Sequence, residues 1–239
     1  MRLVFIIILI LLIVPVSAWN WDNHQLIVQT IYYRLDDQTQ LKLNLSELEK
    51  GSLAPDKDFH DNVLHHYPPS YEKSITWLEQ AEVAFNIGDY NTASYAFGVA
   101  AHYISDSFSA PHNIAKEPSK LHSQFESPKV VLETPCLYQN YDLDQDLSKA
   151  TENWKDWTPW LESRNEEIPK KEMEQSLELL FPIALDIFNA KCNKNNNQIT
   201  SRGIYQETTI KKAPLVNKKA VIFLIILSSL FLVKKLRRN

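Results

Sequence analysis

Glycine is almost missing from this chain, with four residues in 239. A β fold rich in tight turns leans on glycine wherever the backbone must turn left-handed, so the scarcity argues for helices. Cysteine is rarer still: Cys136 and Cys192 are the only two, and both follow the last histidine. They are not read as metal ligands. In an extracytoplasmic chain such a pair reads as one disulfide, with two buried thiols as the other reading. Basic charge is also short. Setting aside Arg2 and the six basic residues of the C-terminal tail leaves 18 Lys and Arg against 29 Asp and Glu, a formal charge of −11. That balance argues against broad, charge-driven binding of nucleic acid, though a metal cluster would make a cleft locally positive. No seryl or cysteinyl nucleophile motif and no internal repeat is visible.

Long apolar runs are confined to the two ends. Met1-Arg2, the run Leu3 to Val14 and the small-residue end Ser17-Ala18 read as a secretory signal peptide over residues 1–18. Cleavage after Ala18 would leave Trp19 as the new N-terminus; an uncleaved membrane anchor is the other reading. Near the C-terminus, Ala220 to Val233 is apolar and flanked by Lys218-Lys219 and by Lys234-Lys235-Leu236-Arg237-Arg238. As a helix it rises about 21 Å, short of a roughly 30 Å hydrocarbon core, but lysine stems on both flanks extend its reach. Residues 218–239 are therefore expected to form a single-pass transmembrane anchor with a basic cytoplasmic tail and the main domain outside. A buried core helix, or a sorting signal exchanged for another anchor, are the alternatives. Polar residues 193–217 read as a flexible stalk. Residues 19–192 remain, ample for one domain with a sizeable core.

Within that domain apolar residues recur at helical spacing. Helices are expected over Gln25 to Leu35, Tyr71 to Phe85 with Gly88 as a stop, Asn91 to Phe108, and Leu121 to Phe125. An acidic, Trp-rich helix is expected from Leu143 to Leu161, and a last one from Lys170 to Ala190, kinked at Pro182. Asn91 to Phe108 is apolar nearly all round and should be central. Gly51 to Asp58 reads as a loop with exposed acids. The fold class is all-α.

All seven histidines fall between His24 and His122. His102 and Asp106 are four apart, as are His122 and Glu126, so each pair shares one face of a helix and can chelate a metal ion. His112 lies between the pairs, which points to more than one metal. Imidazole and carboxylate are ligands that zinc accepts. Asp106 sits on the most apolar stretch, where an uncompensated acid is costly, and no Lys or Arg lies between Asn91 and Phe108. His24, Asp56 and the pair His65-His66 are further candidates. His60 reads as structural or exposed.

The block H-x3-D-x5-H, then H-x3-E, preceded by Pro55-Asp56 and a histidine beyond it, with tryptophan after the cleavage site, resembles the zinc-dependent phospholipase C family. That family shares its fold with the single-strand-specific zinc nucleases. The resemblance covers Trp19 to Glu126 by motif and implies three zinc ions in the cleft of one multi-helix domain. It implies one zinc on the free amine and carbonyl of Trp19, His24 and a bridging Asp106. A second would take Asp56, His102, Asp106 and His65, preferred to His66 because His65-His66-Tyr67-Pro68-Pro69 matches the family's histidine-aromatic stretch. The third would take His112, His122 and Glu126. The mechanism implied is metal-assisted hydrolysis of a phosphate ester by a metal-bridging hydroxide, with Asp56 as general base or orienting group.

The substrate divides the readings. Glu126 resembles the phospholipases, while the short spacing from Trp19 to His24 looks more like the nucleases. A membrane tether and an acidic surface favour phospholipid. Lys57, where choline-specific members carry an aromatic residue, argues against a strong choline preference, and Asp22 is a candidate contact for a cationic head group. The expectation is a monomeric phospholipase C acting at the outer membrane face. An extracellular single-strand-specific nuclease and a non-catalytic zinc-stabilised surface protein are the alternatives.

Overall fold

The computed structural model describes residues 22–193 apart from 62, 134, 135 and 137. The signal peptide, Trp19, the anchor at 218–239 and all but the first residue of the stalk lie outside the described residues. No helix among the described residues is long and apolar enough to cross a membrane.

Nine helices order the described chain: α1 (Asp22–Arg34), α2 (Asp37–Lys42), α3 (Leu45–Lys57), α4 (Pro69–Asn86), α5 (Tyr90–Phe108), α6 (Ser119–Phe125), α7 (Leu143–Ala150), α8 (Trp157–Ser163) and α9 (Glu167–Ile187). Two 3-10 turns, Ala110–Asn113 and Thr151–Asp156, join them. Among the described residues the one β-type pairing is an isolated bridge between Leu35 and Cys192, so the domain is all-α.

Side-chain caps start several of these helices, which explains where they begin. Asp36, Asn44, Asp89 and Asp142 each accept a backbone N–H from the first turn that follows. Helix α5 is the axis of the fold. Every residue from Ala96 to Phe108 is buried, and α1, α3, α4 and α9 pack around it. Phe97 and Phe85 meet Phe188 just beyond α9, with ring centroids 5.0 and 5.2 Å apart. A second, smaller core gathers Phe125, Trp157 and Trp160 under α6 and α8.

Two expectations need correction. Gly51 to Asp58 is not a loop: α3 runs through to Lys57. Its glycine serves packing rather than turning. A Cβ at Gly51 would collide with the Tyr95 carbonyl, and one at Gly98 with the backbone of Leu48 and Ser52, so α3 and α5 touch backbone to backbone. The stretch from Leu143 to Leu161 is not one helix but α7, a 3-10 turn and α8. Pro159 falls in the first turn of α8, where its missing N–H goes unused; inside a continuous helix it would remove a bond. Asn153 pins the intervening turn by donating to the Phe108 carbonyl at 2.7 Å.

The end of the domain is tied to its beginning. Cys136 and Cys192 form the expected disulfide. Asp36 N donates to the Lys191 carbonyl, Lys191 N to the Asp36 carboxylate, and Asn193 N to the Arg34 carbonyl, each at 2.8 Å.

The glycine contacts predict that Gly98→Ala costs about 1–3 kcal/mol, the range for overpacking a close contact. Denaturant unfolding measures this, and an unchanged midpoint would mean that α3 and α5 can part freely.

Candidate metal centre

Helix α5 sets the centre. His102 and Asp106 lie one turn apart on it, with Nε2 and Oδ2 separated by 3.1 Å and both residues buried. The other nitrogen of His102, Nδ1, donates to the Ser52 carbonyl of α3 at 2.7 Å. The backbone contact at Gly98 makes that reach possible. With Nδ1 occupied, Nε2 turns inward. Helix α3 also carries Asp56, whose Oδ1 is 3.6 Å from His102 Nε2 and 3.7 Å from His65 Nε2.

His24 enters from α1 and stacks on His102, with ring centroids 4.0 Å apart. Ser105 gives its one hydroxyl proton to the His102 carbonyl, so at 3.0 Å it must accept from His24 Nδ1. That leaves His24 Nε2 facing Asp106 Oδ1 at 3.3 Å. His65 comes from the irregular segment between α3 and α4 and is oriented the other way round. Its Nε2 donates to the Asp61 carbonyl at 2.6 Å, and its Nδ1 points at Asp106 Oδ2 at 2.5 Å. His66, next in sequence, is exposed.

The 3-10 turn after α5 delivers His112, 3.7 Å from Asp106 and 3.4 Å from Glu126. Helix α6 delivers His122, whose Nε2 is 2.8 Å from Glu126 Oε2 while Nδ1 meets Glu117 at 2.9 Å. Ser109 donates to the opposite oxygen of Glu126 at 2.7 Å, and Asn23 holds its backbone carbonyl.

Eight of the nine residues expected as ligands thus gather in one cluster, and the ninth, Trp19, is outside the described residues. Three triads have ligand atoms within 4.8 Å of one another: His24, Asp56 and His102; His65, Asp106 and His112; and His112, His122 and Glu126. The third coincides with an expected set. The first two interleave the others around Asp106. His60 and Asp22 are exposed, and neither lines the cleft described below.

Charge in this cluster is one-sided. Among the described residues the ion-pair partners of Asp106 are four imidazoles, without a lysine or arginine. Burial works against the Asp106 carboxylate, yet His102, His112 and His24 hold it well below the usual range. Burial also opposes the imidazolium of His102, but Asp106 and Asp56 outweigh it and push His102 up to about 10. At His122 burial is again overcome, by Glu126 and Glu117, and the group rises to about 9. His24 goes the other way, lowered to about 3 by burial and by the charge on His102. Asp56 stays below its usual value because His102 outweighs its burial.

These residues fit a divalent metal. Asp106 Oδ1 is a buried oxygen that accepts no hydrogen bond among the described residues, and the donor set is imidazole and carboxylate throughout, which suits zinc. Each of His24, His65, His102 and His122 turns one nitrogen inward and ties off the other, the arrangement that orients metal-binding imidazoles. Ser52, Asp61, Ser105 and Glu117, which do the tying, were not singled out from sequence. Two of them act through backbone carbonyls, which no residue type announces. The Glu117 carboxylate, five residues before His122, was the readable signal.

One face of the cluster opens. His65 and His112 form part of a cleft of about 630 Å³ that Val63, Tyr67, Ile114 and Trp154 also line. Trp154 is 54% exposed and Val63 68%. Against known families, residues 23–175 match the one described as zinc dependent phospholipase C. No curated protein and no solved structure matches the chain.

Protons on His102 and His122 must leave before those imidazoles can bind a metal. Zinc added at pH 7 to chelator-stripped protein is therefore expected to release acid, and affinity should climb as pH rises towards 9. Proton release in weak buffer measures it; uptake without release would mean that both rings are already neutral.

Proposed function

The chain belongs to the zinc-dependent phospholipase C family, a family of hydrolases, and from that premise we propose that it cleaves the phosphodiester of phospholipids with three zinc ions. The observation that carries the reading is the convergence of three ligand triads on one buried cluster that opens into a cleft with both apolar and polar walls. Asp56, His65, His102 and Asp106 would hold one ion. His24 and Asp106 would hold the second, together with the amine and carbonyl of Trp19 once the signal peptide is removed. His112, His122 and Glu126 would hold the third. When bound, zinc supplies a water acidified towards a pKa of about 7 and neutralises charge on the phosphate.

The protein's own groups divide the remaining work. Asp56 is ionised at neutral pH and only partly buried, so its carboxylate can accept a proton from an attacking water or hold that water in line. His112, at the cleft, can meet the phosphate. Val63, Ile114 and Trp154 present an apolar wall to the glyceride portion. The same cleft supports lipid over nucleic acid. No lysine or arginine lines it among the described residues, whereas a strand of phosphates calls for a basic track. The exposed Trp154 and the half-buried Tyr67 favour the nuclease reading to a lesser degree, since aromatics at a cleft also serve as platforms for bases.

In this reading the leader carries the domain out of the cytoplasm, the C-terminal apolar run tethers it, and the substrate is the outer membrane face. The test takes the processed protein, its N-terminus verified as Trp19 and loaded with zinc. It is presented in parallel with mixed phospholipid vesicles and single-stranded nucleic acid. Diglyceride and a phosphorylated head group are the expected products, and nucleotides alone would replace this reading by the nuclease. Asp56→Asn, compared at saturating zinc because it also weakens one ligand, should lower kcat by roughly 10²-fold or more, the scale of a general base. Full activity in that variant would remove Asp56 from the chemistry.

A further inference from the structure

Among the described members of the candidate cluster, His65 alone neither lies within a helix or 3-10 turn nor caps one. His24, Asp56, His102, Asp106, His112 and His122 all lie within such elements, and Glu126 caps the end of α6. His65 lies in the irregular segment from Asp58 to Pro68, and its neighbour His66 is another imidazole. A slip of one residue would present the wrong ring. Something must fix the register.

The bonds around Asp61 do so. Its Oδ1 accepts the N–H groups of Val63 and Leu64, both at 3.0 Å, which clamps the backbone up to the residue before His65. Its own N–H donates to the Pro55 carbonyl at 2.9 Å, anchoring the segment to α3. Its carbonyl takes the proton of His65 Nε2 at 2.6 Å. Its Oδ2 accepts the hydroxyl of Tyr103 at 2.9 Å. Tyr103 is 1% exposed and follows His102 on α5. The ring of Tyr103 lies 5.5 Å from that of His65. One carboxylate therefore links the backbone that carries His65 to the helix that carries His102 and Asp106.

We propose that Asp61, held by Tyr103, is a positioning residue: it selects His65 over His66 and commits His65 to the cluster through Nδ1. This rests on the metal-site reading above. Neither Asp61 nor Tyr103 touches a reacting atom. Their role is to make a non-helical connection as definite as a helix, and the partners that orient metal-binding histidines are worth about 10- to 100-fold in metal affinity.

The test uses the full processed chain as wild type, Tyr103→Phe, Asp61→Ala and Asp61→Asn. Zinc content and affinity are measured by chelator competition, and the His65 ring by nitrogen-15 NMR. In wild type, His65 should carry its proton on Nε2 and its metal on Nδ1. Tyr103→Phe and Asp61→Ala should weaken one of the three zinc sites by about 10- to 100-fold, leave the other two in place, and scramble the His65 tautomer. Asp61→Asn keeps an oxygen for the Val63 and Leu64 N–H groups and can donate its amide N–H to the Tyr103 hydroxyl oxygen, so it should recover most of the loss. Normal affinities and an unchanged His65 ring in Asp61→Ala would overturn the proposal. So would an even weakening of all three sites together with a lowered melting temperature, since that marks a merely structural role. A wild-type chain that takes up no zinc would overturn the metal reading itself, and the proposal with it.

Discussion

One buried carboxylate, Asp106, sets the terms for the rest of this molecule. It is 1% exposed on a helix that carries no lysine or arginine. A carboxylate held there without compensation would cost several kcal/mol. Compensation comes from four imidazoles supplied by α1, α5, the segment after α3 and the 3-10 turn after α5. The architecture follows from that demand. Helix α5 must be covered on all sides, α3 must come close enough for its Ser52 carbonyl to meet His102, and the turn after α5 must bend back towards its own last residues.

The second nitrogen of each ring explains how the cluster stays ordered without crowding. His102 and His65 spend theirs on backbone carbonyls, and His24 on a serine hydroxyl. His122 alone among these four uses a carboxylate, Glu117. A carboxylate partner makes an imidazole a stronger donor to a metal than a neutral carbonyl does. The triad of His112, His122 and Glu126 is thus electronically distinct from the part of the cluster built around Asp106.

The sequence was readable where the chemistry is local. The pairs His102–Asp106 and His122–Glu126 are spaced by the helix itself, so the order of residues is enough to put each pair on one face. The helical stretches followed from apolar periodicity, with ends shifted by a few residues. Reading failed where a residue answers to a distant partner. Gly51 and Pro55 look like a turn in isolation, but Gly51 is there for the backbone of Tyr95. The choice of His65 over His66 rested on resemblance alone, because the bonds that make it run through Asp61 and Tyr103. Pro159 did mark the break between α7 and α8, and the apolar, Trp-rich pattern around it obscured the signal.

The knot at the end of the domain has a mechanical meaning. The disulfide from Cys192 to Cys136, the Leu35 bridge and the bonds from Lys191 and Asn193 to the end of α1 all lie within three residues of the last described position. A pull on the chain beyond residue 193 meets this covalent and hydrogen-bonded clamp before it reaches α9. The load passes into the far end of α1 and, through the disulfide, into Cys136, rather than directly into the turn that holds His112 or the helix that holds Asp106. Within the cluster, the strain reaches His24 only through α1, whose tied end at Arg34 lies ten residues beyond it.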